Sequence, residues 1–305
     1  MKQKNSATKN QKYLAIFLAI TMFLSAFLIY FTATGNDKDT DNDVPTPEVG
    51  NESMIFFSQI PGKHVQHEFN SIINGLEMSP EGVTNAVYVD FQKTKGTPLE
   101  TIFGNGQTMS TSFSYGADVT KRYGASYANE SGFELHQIPE QKISVPADTR
   151  VMPYEGYQIL DRTNGTYNIW NAVGSPVIIG PIQNVAGIID ILEGNATSTT
   201  EYDQILSQAD PEGSIYQEVV KRTNTSDIPA EQYYRDLKKL DDGSYTQTSI
   251  YLDPEPELNE KIKAYQANSS ERRVAYNVTT LDNITKLVIS SDFESLYNES
   301  ALLSI

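Results

Sequence analysis

The sequence predicts an α+β protein: a single N-terminal transmembrane helix, then an ectodomain of antiparallel sheet with helices on one face, divisible into two ferredoxin-like lobes. Three observations predict this. Residues 13–33 form an uncharged apolar run, nine Asn-x-Ser/Thr triplets all follow that run, and strand-type and helix-type apolar periodicities alternate from residue 53 onward.

The apolar run YLAIFLAITMFLSAFLIYFTA is about 20 residues long, which at ~1.5 Å per residue spans a hydrocarbon core of roughly 30 Å. Lys2, Lys4, Lys9 and Lys12 precede it and GNDKDTDND follows it, which predicts a cytoplasmic N-terminus and an external remainder. The run exceeds the ~7–15 apolar residues of a removable secretion signal, so it reads as a retained signal-anchor, with cleavage near Ala33 and Gly35 as the alternative. The expected organisation is a cytoplasmic tail (1–12), the anchor (13–33), an acidic Pro-containing stalk (34–52), an α+β lobe (53–197) and a second α+β lobe (198–305).

Within the first lobe, MIFFSQI (54–60) suits a strand. A helix follows with Val65, Phe69, Ile72 and Ile73 on one stripe, and NAVYVDF (85–91) returns as a strand. Alternation predicts strands at 109–115 and 133–138. GYQILDR and TYNIWNA form a hairpin about Asn164-Gly165, and VIIG (177–180) leads through Pro181 into a helix that is apolar nearly all round. Aligning Pro61 with Pro181 suggests a faint internal repeat. In the second lobe a short helix follows Ser198–Glu201, and SIYQEVV is a strand. YYRDLKKL and SYTQTSIYL pair about Asp242-Gly243, with a helix over 229–240 as the alternative. Leu258, Ile262 and Tyr265 mark a helix, 273–290 a hairpin, and Phe293, Leu296 and Tyr297 a last helix.

Composition narrows function. The 305 residues include 23 Lys and Arg, 39 Asp and Glu and no Cys, for a net charge of -16. This excludes disulfide scaffolds, Cys-ligated zinc, iron–sulfur clusters and thiol catalysis, and it disfavours nucleic acid as a partner because phosphates are repelled. The sequons, at Asn51, Asn129, Asn164, Asn195, Asn224, Asn268, Asn277, Asn283 and Asn298, predict a glycoprotein, since such acceptors are used only outside the cytosol. An acidic, cysteine-free, sequon-bearing ectodomain on one helix resembles archaeal envelope proteins in style.

Two constellations are candidate metal sites. On a helix, His64 and His67 share a face with Glu68 one turn beyond His64, which suits a divalent cation and, with it, a metal-dependent surface hydrolase. In the stalk, Asp37, Asp39, Asp41, Asp43 and Glu48 fall at positions 1, 3, 5, 7 and 12 of a calcium-type loop, although Asn42 replaces the usual Gly and Pro45 and Pro47 oppose an outgoing helix. That pattern suits a calcium-stiffened spacer or a solvated acidic tether. No phosphate loop or nucleophile elbow occurs, and no catalytic residues or cofactors are predicted. The expectation is a membrane-anchored, glycosylated binding or assembly protein of the cell envelope, not an enzyme. It meets the bilayer through residues 13–33 and an envelope protein, polymer or ligand through its ectodomain.

Overall fold

A computed structural model describes residues 53–303, apart from 108–114, 116, 130, 147, 164–167 and 225–227. The expected anchor (13–33), the stalk with its calcium pattern (34–52) and nearly all of the expected strand at 109–115 lie outside the described residues. Among the described residues no helix is long and apolar enough to cross a membrane.

The strands in chain order are β1 (Ser53–Phe56), β2 (Val65–Gln66), β3 (Val83–Asp90), β4 (Lys121–Tyr127), β5 (Gly132–Gln137), β6 (Lys142–Val145), β7 (Val151–Tyr154) and β8 (Tyr157–Asp161). They continue with β9 (Trp170–Ala172), β10 (Gly174–Ser175), β11 (Val177–Gly180), β12 (Tyr216–Lys221), β13 (Gln232–Lys239), β14 (Tyr245–Leu252), β15 (Ala275–Leu281) and β16 (Ile284–Ser291). The helices are α1 (Ile72–Glu77), α2 (Phe91–Thr94), α3 (Pro98–Gln107), α4 (Ile182–Leu192), α5 (Asp203–Leu206), α6 (Pro256–Ala267) and α7 (Phe293–Leu303).

Twelve strands form a single antiparallel sheet in the order β15-β16-β14-β13-β12-β3-β4-β5-β11-β9-β8-β7. This overturns the expected α+β arrangement of ferredoxin-like lobes with helices on one face. The seam is the β3–β12 pair, in which Val219 lies opposite Ala86. The join placed at 197/198 therefore falls between α4 and α5, and strands from either side of it share one ladder. Sequence patterns find each hairpin, but which hairpins neighbour one another depends on long-range pairing that no local periodicity encodes.

Alternation along the central strands separates two cores, one on each face. On the first face Ala86, Tyr88, Tyr123, Leu135, Ile178 and Tyr234 pack with Ile72 of α1, with Val185, Ile188 and Ile189 of α4 and with Ile205 of α5. On the second, Val89, Tyr245, Leu287 and Ile289 pack with Phe91, Leu99, Phe103, Leu258, Ile262 and Leu296 from the remaining helices. At ~25 cal/mol per Å2 of apolar surface, this two-sided burial is the main stabilising term.

The expected helix over Val65–Ile73 is largely absent. Val65 and Gln66 instead pair in parallel with Gly174 and Ser175, and the helix begins only at Ile72. A β-bridge and an amphipathic turn bury the same residues here, so the apolar spacing did not discriminate between them. Gly75 in α1 lies flat on Tyr123, whose Cδ2 would stand 2.3 Å from an added Cβ. The Pro61–Pro181 repeat fails for the same reason, because only Pro181 introduces a helix. Three readings hold: β13 and β14 pair about Asp242-Gly243 rather than forming a helix, and β8–β9 and β15–β16 pair as expected.

Candidate functional site

The sheet register builds a polar line across the second face. Glu134, Gly124, Val87, Glu218, Arg235 and Ser249 stand opposite one another on successive strands from β5 to β14. The adjoining line places His136, Arg122, Val89 and Tyr216 side by side. Five acidic, basic or imidazole side chains thus occupy the middle of a face that elsewhere buries apolar residues.

They form two groups. The Arg122 Nη2 donates to Glu134 Oε1 at 2.6 Å, and His136 Nε2 lies 2.6 Å from the other carboxylate oxygen. The Tyr115 hydroxyl is 3.4 Å from His136 Nδ1, so a proton on Nε2 leaves Nδ1 to accept. Burial would raise the pKa of Glu134, but the Arg122 guanidinium and the His136 hydrogen bond outweigh it and hold the carboxyl down at about 2. Across the seam, Arg235 Nη2 donates to Glu218 Oε2 at 2.7 Å, and its guanidinium lies 5.5 Å from the centre of the Tyr216 ring. Phe103 stacks on the far side of this group against Tyr216, with ring centres 5.9 Å apart.

The chemistry of this site is restrained. Tyr115–His136–Glu134 has the connectivity of a proton relay, but burial pushes the Tyr115 phenol up, away from an ionised nucleophile. Each carboxylate accepts from an arginine, whose positive charge opposes the approach of a cation. Charge is balanced within each group, so the site attracts neither anions nor cations strongly.

The first face holds a different kind of carboxylate. Asp236 is fully buried; the Tyr234 hydroxyl donates to its Oδ2 at 2.9 Å, while Oδ1 has no hydrogen bond of good geometry among the described residues. Burial dominates here and lifts its pKa to about 6, against the lowering by Tyr234, Lys238 and Thr248.

The residues singled out in the sequence fall elsewhere. His64 Nε2 lies 2.9 Å from the Ile60 carbonyl, His67 Nδ1 lies 2.8 Å from the Glu68 carbonyl, and Glu68 Oε1 accepts from Asn70 at 2.9 Å. Without the helix, the i,i+3 spacing no longer places His64 and His67 on one helical face. Among the described residues no three His, Asp or Glu side chains gather to hold a metal ion. Asn51 and Asn164 lie outside the described residues. Asn129, Asn195, Asn224, Asn268, Asn277, Asn283 and Asn298 are all exposed, whereas of Asn70, Asn74, Asn85, Asn168, Asn171, Asn184 and Asn259 only Asn70 and Asn168 are.

The charged line was half legible. Phe133-Glu134-Leu135-His136 alternates plainly, so Glu134 and His136 share a face. Arg122, Glu218 and Arg235 join them only through pairing register.

The AF_2048_N model, a family N-terminal domain, matches residues 68–193, less than half of the chain. The match runs from just before α1 to the residue after α4. No curated protein matches the chain, and no solved structure does.

Proposed function

We propose that this chain is a single-span envelope protein, held by residues 13–33 with its N-terminus in the cytoplasm. Its extracytoplasmic, glycosylated sheet domain serves as a binding or assembly module rather than an enzyme. One observation carries the reading: sequon asparagines are exposed without exception among the described residues, while asparagines outside sequons are mostly half-buried or buried. A polar turn rich in Asn, Ser and Thr would expose both classes alike. The separation is what accessible acceptors require. The pairing of Glu134 and Glu218 with arginines supports a rigid module rather than one built on reacting groups.

The test is fractionation of the full-length chain from the membranes of a glycosylating host, followed by mass spectrometry of intact glycopeptides. Recovery with the bilayer and saccharide on several of the exposed asparagines is expected. A cytosolic product without saccharide would sink the proposal.

A further inference from the structure

A twelve-stranded open sheet has two edges, and they are protected unequally. At one end β7 is four residues long and contains Pro153, which offers no backbone N–H. At the other end β15 runs for seven residues, AYNVTTL, without charge, proline or glycine. It pairs only with β16 among the described residues, so half of its backbone donors and acceptors face outward. A seven-residue uncharged strand of high β-propensity on an open edge is a template for pairing with another copy of itself. Along the chain the nearest charges, Arg273 and Asp282, lie beyond its ends, and across the β15–β16 pair Lys286 stands opposite Thr279.

The sequon Asn277-Val278-Thr279 lies in the middle of this strand. Tyr276 and Val278 pack toward the second core, while Asn277 and Thr279 are exposed on the opposite face. The Asn277 side chain makes no hydrogen bond among the described residues. By contrast, Asn283 at the hairpin tip donates to the Asp253 carboxylate at 3.2 Å, and Asn129 accepts from Ser131 at 2.7 Å. The Asn277 amide is therefore unengaged, and its partner hydroxyl, Thr279, stands two residues along the same face.

We infer that Asn277 is an N-glycosylation site whose saccharide seals the β15 edge against pairing with a second copy of the chain. This rests on the extracytoplasmic reading above. In the modification, the Asn277 Nδ2 forms a bond to C1 of an oligosaccharide carried on a polyprenyl phosphate. The C1–O bond to phosphate breaks, the lipid phosphate departs and the Nδ2 proton passes to a base. The saccharide is wider than the ~4.8 Å spacing of paired strands, so an incoming strand cannot close on the edge.

The experiment compares the full-length wild-type chain with Thr279→Ser, Thr279→Ala and Thr279→Lys, each purified from the membranes of a glycosylating host. Glycopeptide mass spectrometry and light-scattering chromatography are the readouts. Wild type and Thr279→Ser should carry saccharide at Asn277 and elute as one species. Thr279→Ala should lose it and shift several-fold more protein into larger species. Thr279→Lys should also lose it yet remain monodisperse, because a charge on an edge strand replaces the steric block. An unmodified Asn277 beside other modified sequons overturns this inference and leaves the envelope reading standing. Absence of saccharide from every sequon removes both. A Thr279→Ala chain as monodisperse as wild type, or a Thr279→Lys chain that aggregates equally, overturns the sealing role.

Discussion

The two halves of the sheet follow one path and end differently. From the seam, β3-β4-β5 and β12-β13-β14 each step outward by antiparallel pairing. In each half the chain then leaves the sheet, returns through outer strands (β7, β8 and β9, or β15 alone), and inserts the next strand of this sheet (β11 or β16) between the last of these and the third. A helix follows in both cases, α4 or α7. Yet α4 packs on the first face and α7 on the second. The order of strands and the side a helix covers are thus separate decisions. Pairing sets the first, and the apolar side of each strand sets the second. Ile178 of β11 is buried in the first core, whereas Leu287 and Ile289 of the equivalent strand β16 are buried in the second.

The largest expected effect compares the ion pairs of the two halves. Arg122→Ala strips the guanidinium from the buried Glu134 and should cost about 3–5 kcal/mol in chemical denaturation. Arg235→Ala strands Glu218, whose side chain is 4 % exposed against 12 % for Glu134, while Glu134 keeps His136, so this variant should cost at least as much. A clearly smaller loss in Arg235→Ala would contradict this difference in burial.

Next, Ile188→Ala in α4 and Leu296→Ala in α7 each open a cavity in a separate core. Each should cost about 2–5 kcal/mol. Because the seam joins the halves, both variants should lower the midpoint of the same single transition. Two resolved transitions, each moved by one variant, would split the sheet at β3–β12.

A third prediction contrasts the two carboxylates. Asp236 has a raised pKa, so its favourable contribution is complete below pH ~4 and is lost as pH rises through about 6. Glu134 behaves oppositely: its contribution holds above pH ~4.5 and is lost as pH falls toward about 2. At roughly 1.4 kcal/mol per pKa unit, Asp236→Asn should gain up to about 3 kcal/mol at pH 7 and flatten stability between pH 4 and 7. An unchanged pH profile in that variant would show that Asp236 is not the titrating group.

The smallest effect concerns the helix entries. α7 begins with Asp292 accepting from the Ser295 backbone N–H at 3.0 Å, whereas α4 enters on Pro181 without a side-chain cap. Asp292→Ala should cost about 1 kcal/mol. Pro181→Ala should cost less, and the difference in thermal midpoints measures the asymmetry.

By itself, the sequence determined where most hairpins and helices of the second half lie. Alternation in β12, β13, β14 and β16, the Asp242-Gly243 turn and the stripe of α6 are all local signals. It also determined that the sequon asparagines would be polar surface positions, because no apolar neighbour on their face competes for burial. The segment 64–73 escaped it, since Val65, Phe69 and Ile72 satisfy a bridge and a helix equally well. Only the tertiary structure decided that two expected lobes share one sheet, that helices cover both faces and that Arg122, Glu134, His136, Glu218 and Arg235 line up. Those outcomes depend on which strand lies beside which. That choice is settled by side-chain packing between residues more than a hundred positions apart, over which local periodicity carries no information.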